Sequence, residues 1–419
     1  MPCACRRDRL LKFRVRANIV APAARRSAVY STVLRSPGVR WLMATSLVAR
    51  LPLAMTGLAI VLRVSRASGS YGEAGAITAV YVVAGAIGSP VWGRLADRSG
   101  RRLILVVTAL ASAIGLLALS AVPVHDTWEM SGVALLAGAG EPPVSAAVRS
   151  LWPRLVQGGS SDALYAIDST LQELTFVAGP ALVAVMGTIS STAAPLVASA
   201  IFSLVGTLAV ALHPAVSAPG LRLARTGRAH SAALFSLVLV GLLLVFGCAM
   251  VQIGVVGFAT AHKAPGQSGF LLAVWSLGAI TGGLCAGTRV NAAGEAGLMG
   301  ALGASGAGLF LVIAAPDVAL LYPLIFLAGI GLVPSLGAMY NLAGKLAPAA
   351  GAVEAFGWLS GGTQTGIAGG SALGGVVLQH FGTRTTFAVA AVIVFASAAV
   401  ILVAKDQLAQ ARLRAAATA

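Results

Sequence analysis

Apolar stretches of roughly 20 residues recur along almost the whole chain, between about residue 41 and residue 404. A helix rises about 1.5 Å per residue, so each stretch is long enough to cross the ~30 Å hydrocarbon core of a bilayer. The pattern predicts an all-helical membrane protein. The twelve predicted spans are residues 41–62, 74–92, 103–123, 130–149, 163–187, 191–212, 233–260, 268–287, 296–315, 318–344, 353–379 and 384–404.

The composition agrees with a chain that lies mostly inside a membrane. Hydrophobic residues make up 58% of the chain, charged residues make up 10%, and the mean hydropathy is +0.89. A soluble domain with this composition would not stay dissolved. The 50 glycines among 419 residues exceed the usual ~7%, which favours close packing between membrane helices.

The net charge of +16 is distributed unevenly. Residues 1–40 carry ten Lys and Arg against a single acid, Asp8. Together with the loops on the same side and the C-terminus, the count reaches 24, whereas the opposite loops hold four. The positive-inside rule therefore predicts a multi-pass protein of the cell (inner) membrane with both termini in the cytoplasm. This distribution explains the basic charge without a nucleic-acid partner.

The spans divide into two groups of six, separated by a polar connection that contains Arg222, Arg225, Arg228 and His230. The connection is too short to fold as a separate domain. The predicted organisation is a basic cytoplasmic tail (1–40), a first six-helix half (41–212), a cytoplasmic linker (213–232), a second six-helix half (233–404) and a C-terminal cytoplasmic tail (405–419).

The N-terminal tail faintly resembles an export signal, because Arg6 and Arg7 are adjacent. No apolar region follows them, since the run from Phe13 to Arg16 is charged again, and we expect the first span to remain as an uncleaved anchor. An alternative is that translation begins near Val29 or Tyr30. Mass spectrometry of the native N-terminus distinguishes the two.

The sequence offers no pattern for metal, nucleotide or covalent chemistry. None of the five histidines has a second His or Cys at ligand spacing, and the four cysteines form neither a disulfide framework nor a zinc pattern. No G-x-x-x-x-G-K-[ST] sequence occurs. We therefore predict no metal, no cofactor, no ATP hydrolysis and no enzymatic activity.

The sharpest motif is the charged turn from Gly93 to Arg102, which reads GRLADRSGRR and joins two apolar helices. Glycines permit a close turn and basic residues hold the loop in the cytoplasm. In residues and in place, this turn resembles the signature loop of the major facilitator superfamily. The resemblance implies two six-helix bundles around a central cavity, which transport solutes by alternating access, and a monomer.

In that family the loop meets the start of the eleventh span, so Asp97 is expected at a positive helix end. Arg98 or Arg101 would then pair with Glu354 and latch the two halves in one state. The alternative is that the charges only orient the protein in the membrane. The residues assigned to the latch are Gly93, Asp97, Arg98, Gly100, Arg101 and Glu354.

Three further patterns accompany this resemblance. Gly179 and Pro180, after Phe176 and Ala178, resemble part of a motif in the fifth helix of superfamily exporters, and otherwise indicate a kink. A weak echo of the charged turn lies at 287–295. Four glycines of the eleventh span are expected to form a smooth face for a sliding helix, and they are Gly362, Gly366, Gly370 and Gly374.

Ionisable residues inside spans are the strongest functional candidates, because each costs about 2.5 to 3.5 kcal/mol at the bilayer centre. Arg50, Glu141 and Glu173 fall at one predicted depth near the midplane, and Asp168 lies closer to the cytoplasm. Our hypothesis makes Glu141 or Glu173 the proton carrier, Arg50 its counter-charge and Asp168 a relay. The alternative is a buried ion pair that only fixes packing.

Pro142 and Pro143 directly follow Glu141 and remove backbone donors there, which favours a site over plain packing. Arg149, at the end of the fourth span, resembles a family arginine or extends to the cytoplasmic interface. The second half has almost no buried charge, so its walls suit uncharged or lipophilic ligands. The cavity candidates are Gln252, Trp275, Asn341, Trp358 and Gln364.

These features predict a proton-coupled exporter of small, amphipathic or drug-like molecules, that is, a multidrug antiporter. Its partners would be the substrate, protons and membrane lipid. The transport alternatives are efflux of metabolites or sugars and uptake of organic anions, in which Arg50 would bind the substrate directly. A membrane sensor that does not transport is the alternative from a different class.

Overall fold

The computed structural model describes residues 37–123, 127–156, 160–217, 232–286, 295–347 and 351–417, and all regular structure within these ranges is helical. Most of the basic tail, the arginines of the linker and the loop at 287–294 lie outside the described residues. The predictions made for them therefore stay predictions.

The first half contains the six predicted spans; spans 1, 2 and 5 extend beyond the predicted limits at both ends, whereas span 6 is shorter than predicted. The fourth span consists of two helical pieces. The spans are span 1 (Pro37–Ser68), span 2 (Tyr71–Ser99), span 3 (Arg101–Ala121), span 4 (Thr127–Ala139 and Val144–Arg149), span 5 (Ser160–Ile189) and span 6 (Ala194–Ala211).

The second half repeats this plan, and its fourth member is again divided. A short helix at Trp152–Leu155 connects spans 4 and 5, and another at Pro214–Ser217 follows span 6. The spans of the second half are span 7 (Ala232–Ala261), span 8 (Ser268–Ala286), span 9 (Glu295–Ile313), span 10 (Val318–Gly329 and Leu332–Leu346) and spans 11 and 12, which share the helical segment Ala352–Ala417.

The segment Ala352–Ala417 contains 66 residues, and at about 1.5 Å per residue it would be roughly three times longer than a bilayer core is thick. Gly382 interrupts it with a φ of 78° and a ψ of 179°. Two spans therefore meet at Gly382, and the second continues as a helix into the predicted C-terminal tail. Ten helices of the described chain are long and apolar enough to cross a membrane. The segment that begins at Ala352 counts once among these ten but contains two spans, and the broken span 4 is not among them. The described chain therefore contains the twelve predicted spans.

The breaks in spans 4 and 10 occupy matching places in the two halves. Span 4 is non-helical from residue 140 to residue 143, where Pro142 and Pro143 cannot donate backbone hydrogen bonds. A Cβ at Gly138, just before this break, would collide with the backbone of Tyr81 in span 2. A Cβ at Gly329, just before the break in span 10, would collide with the backbone of Trp275 in span 8.

Large apolar side chains cover the outside of the bundle. A soluble protein would not expose so much contiguous apolar surface, whereas lipid tails accept it. Examples with exposed fractions between 60% and 84% are Ile87, Ile114, Phe235, Phe270 and Val403.

We call the end of the bundle that holds the turn between spans 2 and 3 the Gly100 end. Because the spans alternate in direction, the starts of spans 5, 7, 9 and 11 and the ends of spans 4, 6, 8 and 10 lie at this end too. It is the end that the distribution of basic residues predicts to be cytoplasmic.

Candidate functional site

The turn between spans 2 and 3 contacts the start of span 11. Gly100 has a φ of 104°, which a glycine adopts without strain. The backbone N–H of Glu354 donates a hydrogen bond of 2.9 Å to Oδ2 of Asp97. Span 11 begins at Ala352, so Asp97 lies at a helix N-terminus, whose first N–H groups lack partners within the helix. The structure thus places Asp97 where the resemblance predicted it.

The prediction that Arg98 or Arg101 pairs with Glu354 is wrong. Nη2 of Arg101 lies 3.8 Å from Oδ1 of Asp97, which precedes it by four residues across the turn at Gly100. Arg98 is exposed, and within the described chain Glu354 forms no ion pair. Glu354 contributes its backbone N–H, and not its carboxylate, to the contact with this turn.

Glycines let spans 2 and 11 approach closely near the Gly100 end. A Cβ at Gly93 would lie 2.7 Å from the carbonyl oxygen of Val353. A Cβ at Gly357 would lie 2.7 Å from the carbonyl oxygen of Ser89, whose hydroxyl donates to the Gly357 carbonyl at 3.2 Å. Gly361, one turn further, meets the carbonyl oxygen of Ala86 in the same way. Any larger residue at these positions would push the halves apart.

The four predicted sliding glycines face a different helix. Positions 362, 366, 370 and 374 pack against span 7, within the second half. The glycines of span 11 at the boundary between halves are instead Gly357 and Gly361. Gly179 of span 5 packs against Ala54 of span 1, and span 5 continues as a helix through Pro180.

A cluster of buried charges joins spans 1, 4, 5 and 10. Nη1 of Arg50 lies 2.8 Å from Oδ1 of Asp168, and Nε of Arg149 donates to Oδ2 of the same carboxylate at 2.7 Å. Arg149 also donates to the side-chain oxygen of Gln172. The three charged side chains are at most 2% exposed. Two guanidinium groups therefore share one carboxylate away from water.

Aromatic side chains cover this cluster toward the second half. Cζ of Arg149 lies 3.5 Å from the ring centroid of Tyr340 in span 10, a cation–π geometry. Tyr165 of span 5 stacks on Phe356 of span 11, with ring centroids 6.2 Å apart, and its hydroxyl donates to the Arg149 carbonyl. All three rings are buried. Together they close the Gly100 end between the two halves.

Glu141 lies in the break of span 4, with its side chain between the halves. The hydroxyl of Tyr81 in span 2 is 3.5 Å from Oε2 of Glu141, and Nε2 of Gln364 in span 11 is 3.5 Å from Oε1. A Cβ at Gly85 would lie 2.8 Å from Oε2. Within the described chain, Glu141 has no cationic partner. Its neighbours are neutral donors, one from each half.

Glu173 also contacts the opposite half through a neutral group. The hydroxyl of Ser276 in span 8 donates to Oε1 of Glu173 at 2.9 Å. Closer to the Gly100 end, a Cβ at Gly283 of span 8 would lie 2.8 Å from the hydroxyl of Thr170 in span 5. Glu173 therefore lies at the contact between spans 5 and 8.

The structure corrects two expectations about the arginines. Arg50 does not face Glu141 or Glu173, because the rotation of span 5 presents Asp168 to it. Asp168 is accordingly held between two cations and is not an isolated relay. Arg149 does not extend to the membrane surface, since its side chain is 1% exposed.

The five cavity candidates have different surroundings. Gln364 contacts Glu141, and Trp275 is buried beside Ser276, the partner of Glu173. Asn341 is buried next to Tyr340. Gln252 is exposed and Trp358 is 42% exposed, so neither belongs to the enclosed part of the boundary between halves.

Sequence reasoning missed several residues of these sites. Gln172 had a usable signal, because it follows Asp168 by four residues and shares its helix face. Tyr81, Ser276 and Tyr340 had none, since neutral polar and aromatic residues are common in membrane helices. Their importance depends on which carboxylate or arginine they contact.

Comparison with known proteins agrees with this architecture. The sequence model of the Major Facilitator Superfamily matches residues 42–353, whereas comparison with curated protein sequences gives no significant match. Among solved structures, the chain is similar to a bacterial homologue of the iron transporter ferroportin in an outward-facing state, with a TM-score of 0.70 and 15% identity over 87% of this chain and 98% of that chain.

The chain is also similar to the human organic anion transporter MFSD10 (TETRAN), with a TM-score of 0.66 and 15% identity over 91% of this chain and 100% of that chain. At such identities the likeness to both solved structures shows the fold alone. The family match covers most of the residues between the start of span 1 and the start of span 11. On this match and on its helical architecture, the chain belongs to the Major Facilitator Superfamily.

Proposed function

We propose that this protein is a proton-coupled secondary transporter that exports small amphipathic molecules by alternating access. Membership of a transporter family supports secondary transport of a small solute. The observation that carries the proton coupling is the position of Glu141, a buried carboxyl group that touches both halves and has no cationic partner in the described chain.

The contacts between the halves support alternating access. Each contact described above lies between the middle of the bundle and the Gly100 end, from Glu141 and Gln364 to Asp97 and Glu354. The positive-inside distribution assigns the Gly100 end to the cytoplasm of the cell (inner) membrane. In this proposed orientation the carrier is closed toward the cytoplasm, and we expect both termini to be cytoplasmic.

Glu141 is suited to carry the proton because its surroundings change when the halves separate. Tyr81 belongs to the same half and moves with it, whereas Gln364 belongs to the other half and would leave. A carboxyl group binds a proton more or less tightly according to its hydrogen bonds and its access to water. Opening at the Gly100 end changes both, which couples protonation to the direction that the cavity faces.

Glu173 is the second acid of the proposed mechanism. Its contact with Ser276 also crosses the boundary between halves. Asp168 is excluded from the carrier role in our proposal, because two arginines hold its charge. The network of Arg50, Arg149 and Asp168 is not part of the proton path in this proposal.

The test uses purified protein in liposomes that contain a pH-sensitive dye. A panel of dyes, antibiotics and metabolites supplies the substrate gradient, and substrate-driven proton flux is recorded. We expect Glu141→Gln to lower the flux at least about tenfold, as loss of an essential acid does, and Glu141→Asp to retain part of it. Asp406→Asn, at an exposed position in span 12, is the matched control and should leave the flux unchanged.

Full proton flux in Glu141→Gln would sink the assignment of Glu141 and leave Glu173 as the carrier. Flux of substrate without protons in the unmodified protein would refute coupling itself. If no compound moves in either direction, the protein is a sensor or a carrier for a solute outside the panel, and export of amphipathic molecules is rejected.

A further inference from the structure

The buried cluster of spans 1, 4 and 5 carries an excess of positive charge. Arg50 and Arg149 face a single carboxylate, that of Asp168, and no other ion pair involves these arginines within the described chain. Gln172 and Tyr340 complete the contacts and are neutral. An uncompensated charge in such surroundings is costly, and its position beside the boundary between the two halves favours a functional role.

Arg50 has hydrogen-bond donors that the protein does not use. Its Nε and Nη2 atoms are buried and have no hydrogen-bond partner in the described chain, although the side chain is only 2% exposed. A guanidinium group presents five N–H donors in a planar fork, which matches the oxygens of a carboxylate, sulfonate or phosphate. The unused donors and the charge excess therefore point to the same kind of ligand.

Tyr340 shows how the cluster is covered in the present state. Its ring lies over Arg149, with Cζ 3.5 Å from the centroid, and it belongs to the second half, whereas both arginines belong to the first. Opening of the Gly100 end would withdraw span 10 and its ring from Arg149. The two arginines would then be exposed to water with one positive charge uncompensated. The aromatic rings of Tyr165 and Phe356 would lie nearby.

We propose that Arg50 and Arg149 bind the anionic group of an amphipathic substrate that enters from the Gly100 end, and that Tyr340 covers this site when it is empty. The inference rests on the proposed alternating access and names the substrate class as organic acids with an apolar body. Asp168 orients the two guanidinium groups through its two oxygens. It is a positioning residue.

Binding to the purified protein tests this site without a proton gradient. Fluorescein and rhodamine 123 are suitable probes, because they share a xanthene ring and carry opposite charges. Both are titrated by fluorescence anisotropy into detergent-solubilised protein with the substitution Asp97→Asn, which we expect to favour opening of the Gly100 end because it weakens the contact with the Glu354 N–H. We expect fluorescein to bind, and to bind at least about tenfold more tightly than rhodamine 123, as a charge-assisted hydrogen bond provides.

Three substitutions and one control test whether the preference for fluorescein over rhodamine 123 comes from the arginine cluster. Arg50→Gln should weaken fluorescein binding about tenfold or more and leave rhodamine 123 unchanged, whereas Arg50→Lys should keep part of the preference. Tyr340→Leu removes the competing ring and should strengthen fluorescein binding about three- to tenfold. Arg63→Gln removes an arginine from the opposite end of the same span, where it donates to the Val122 carbonyl, and should change neither probe.

Three outcomes would overturn the proposal. They are tighter binding of rhodamine 123, binding of neither dye, and an Arg50→Gln variant that loses both dyes equally. If Arg50→Gln does not fold, Arg50→Lys and Tyr340→Leu decide by the direction of their effects. If Glu141→Gln loses proton flux but still binds fluorescein, the anion site stands independently of the proton coupling. If the protein transports protons normally but does not bind fluorescein, the anion site is rejected and the proposed proton coupling is unaffected.

Discussion

Glu141 of span 4 and Gln364 of span 11 face each other across the boundary between the two halves, with 3.5 Å between Oε1 and Nε2. The contact joins a carboxyl group in a helix break to an amide on an unbroken helix. The amide of Gln364 does not repel an ionised Glu141, whereas a carboxyl group at position 364 would. This relationship gives the first prediction.

Gln364→Glu should make closure of the Gly100 end depend on pH. When both carboxyl groups are ionised, they repel each other by up to about 4 kcal/mol at such a distance, so alkaline pH opens the end and acidic pH closes it. The measurement is the labelling rate of Ala166→Cys, a buried position between spans 5 and 10, by a water-soluble maleimide after replacement of the native cysteines. Gln364→Leu is the control: it keeps only the Glu141 carboxyl group at this contact and should show a weaker pH dependence than Gln364→Glu, after correction for the thiol.

Asp97→Asn should favour the state that is open at the Gly100 end. The substitution removes a negative charge from the N-terminus of span 11, where the Glu354 N–H donates to it. An interaction of this kind stabilises by about 0.3 to 2 kcal/mol, which predicts up to about 30-fold faster labelling of Ala166→Cys. Arg98→Gln, at an exposed position of the same turn, should have little effect. Equal rates in both variants would show that the turn only orients the protein.

Gly357→Ala and Gly366→Ala should have different consequences, although both lie on span 11. A Cβ at Gly357 would approach Ser89 of the other half, whereas a Cβ at Gly366 would collide with Leu242 of span 7 in the same half. We expect the first substitution to speed labelling of Ala166→Cys and the second to lower the thermal unfolding midpoint. Gly375→Ala, with open space around it, is the control. A lowered midpoint without faster labelling in Gly357→Ala would contradict the assignment of this surface.

Asp168→Asn should be strongly destabilising, because it leaves Arg50 and Arg149 without their shared carboxylate. Removing one partner of a buried ion pair costs about 3 to 5 kcal/mol. The double variant Arg50→Gln with Asp168→Asn should lose less than the sum of the single variants, since it removes one of the stranded charges. The free energies of unfolding are measured in mixed detergent micelles. Additive losses would mean that Arg50 and Asp168 do not stabilise each other.

The sequence determined the twelve spans, their approximate limits and the importance of the turn at Gly93–Arg102. Hydrocarbon thickness fixes the length of a spanning helix, so apolar stretches are readable without any knowledge of packing. The break beside Glu141 was also readable, because two successive prolines remove backbone donors wherever they occur. The unusual cost of charge inside a membrane likewise singled out Arg50, Glu141, Asp168 and Glu173 before any contact was known.

Only the tertiary structure decided which of these charged residues meet. Depth along a helix follows from counting residues, but the pairing of side chains depends on the rotation of each helix and on its neighbours, which distant residues set through packing. Arg50 and Glu173 were predicted at one depth, yet span 5 presents Asp168 to Arg50 and directs Glu173 toward Ser276. The cover of Tyr340 over Arg149 joins positions 191 residues apart in two different halves, and no local pattern encodes such a contact.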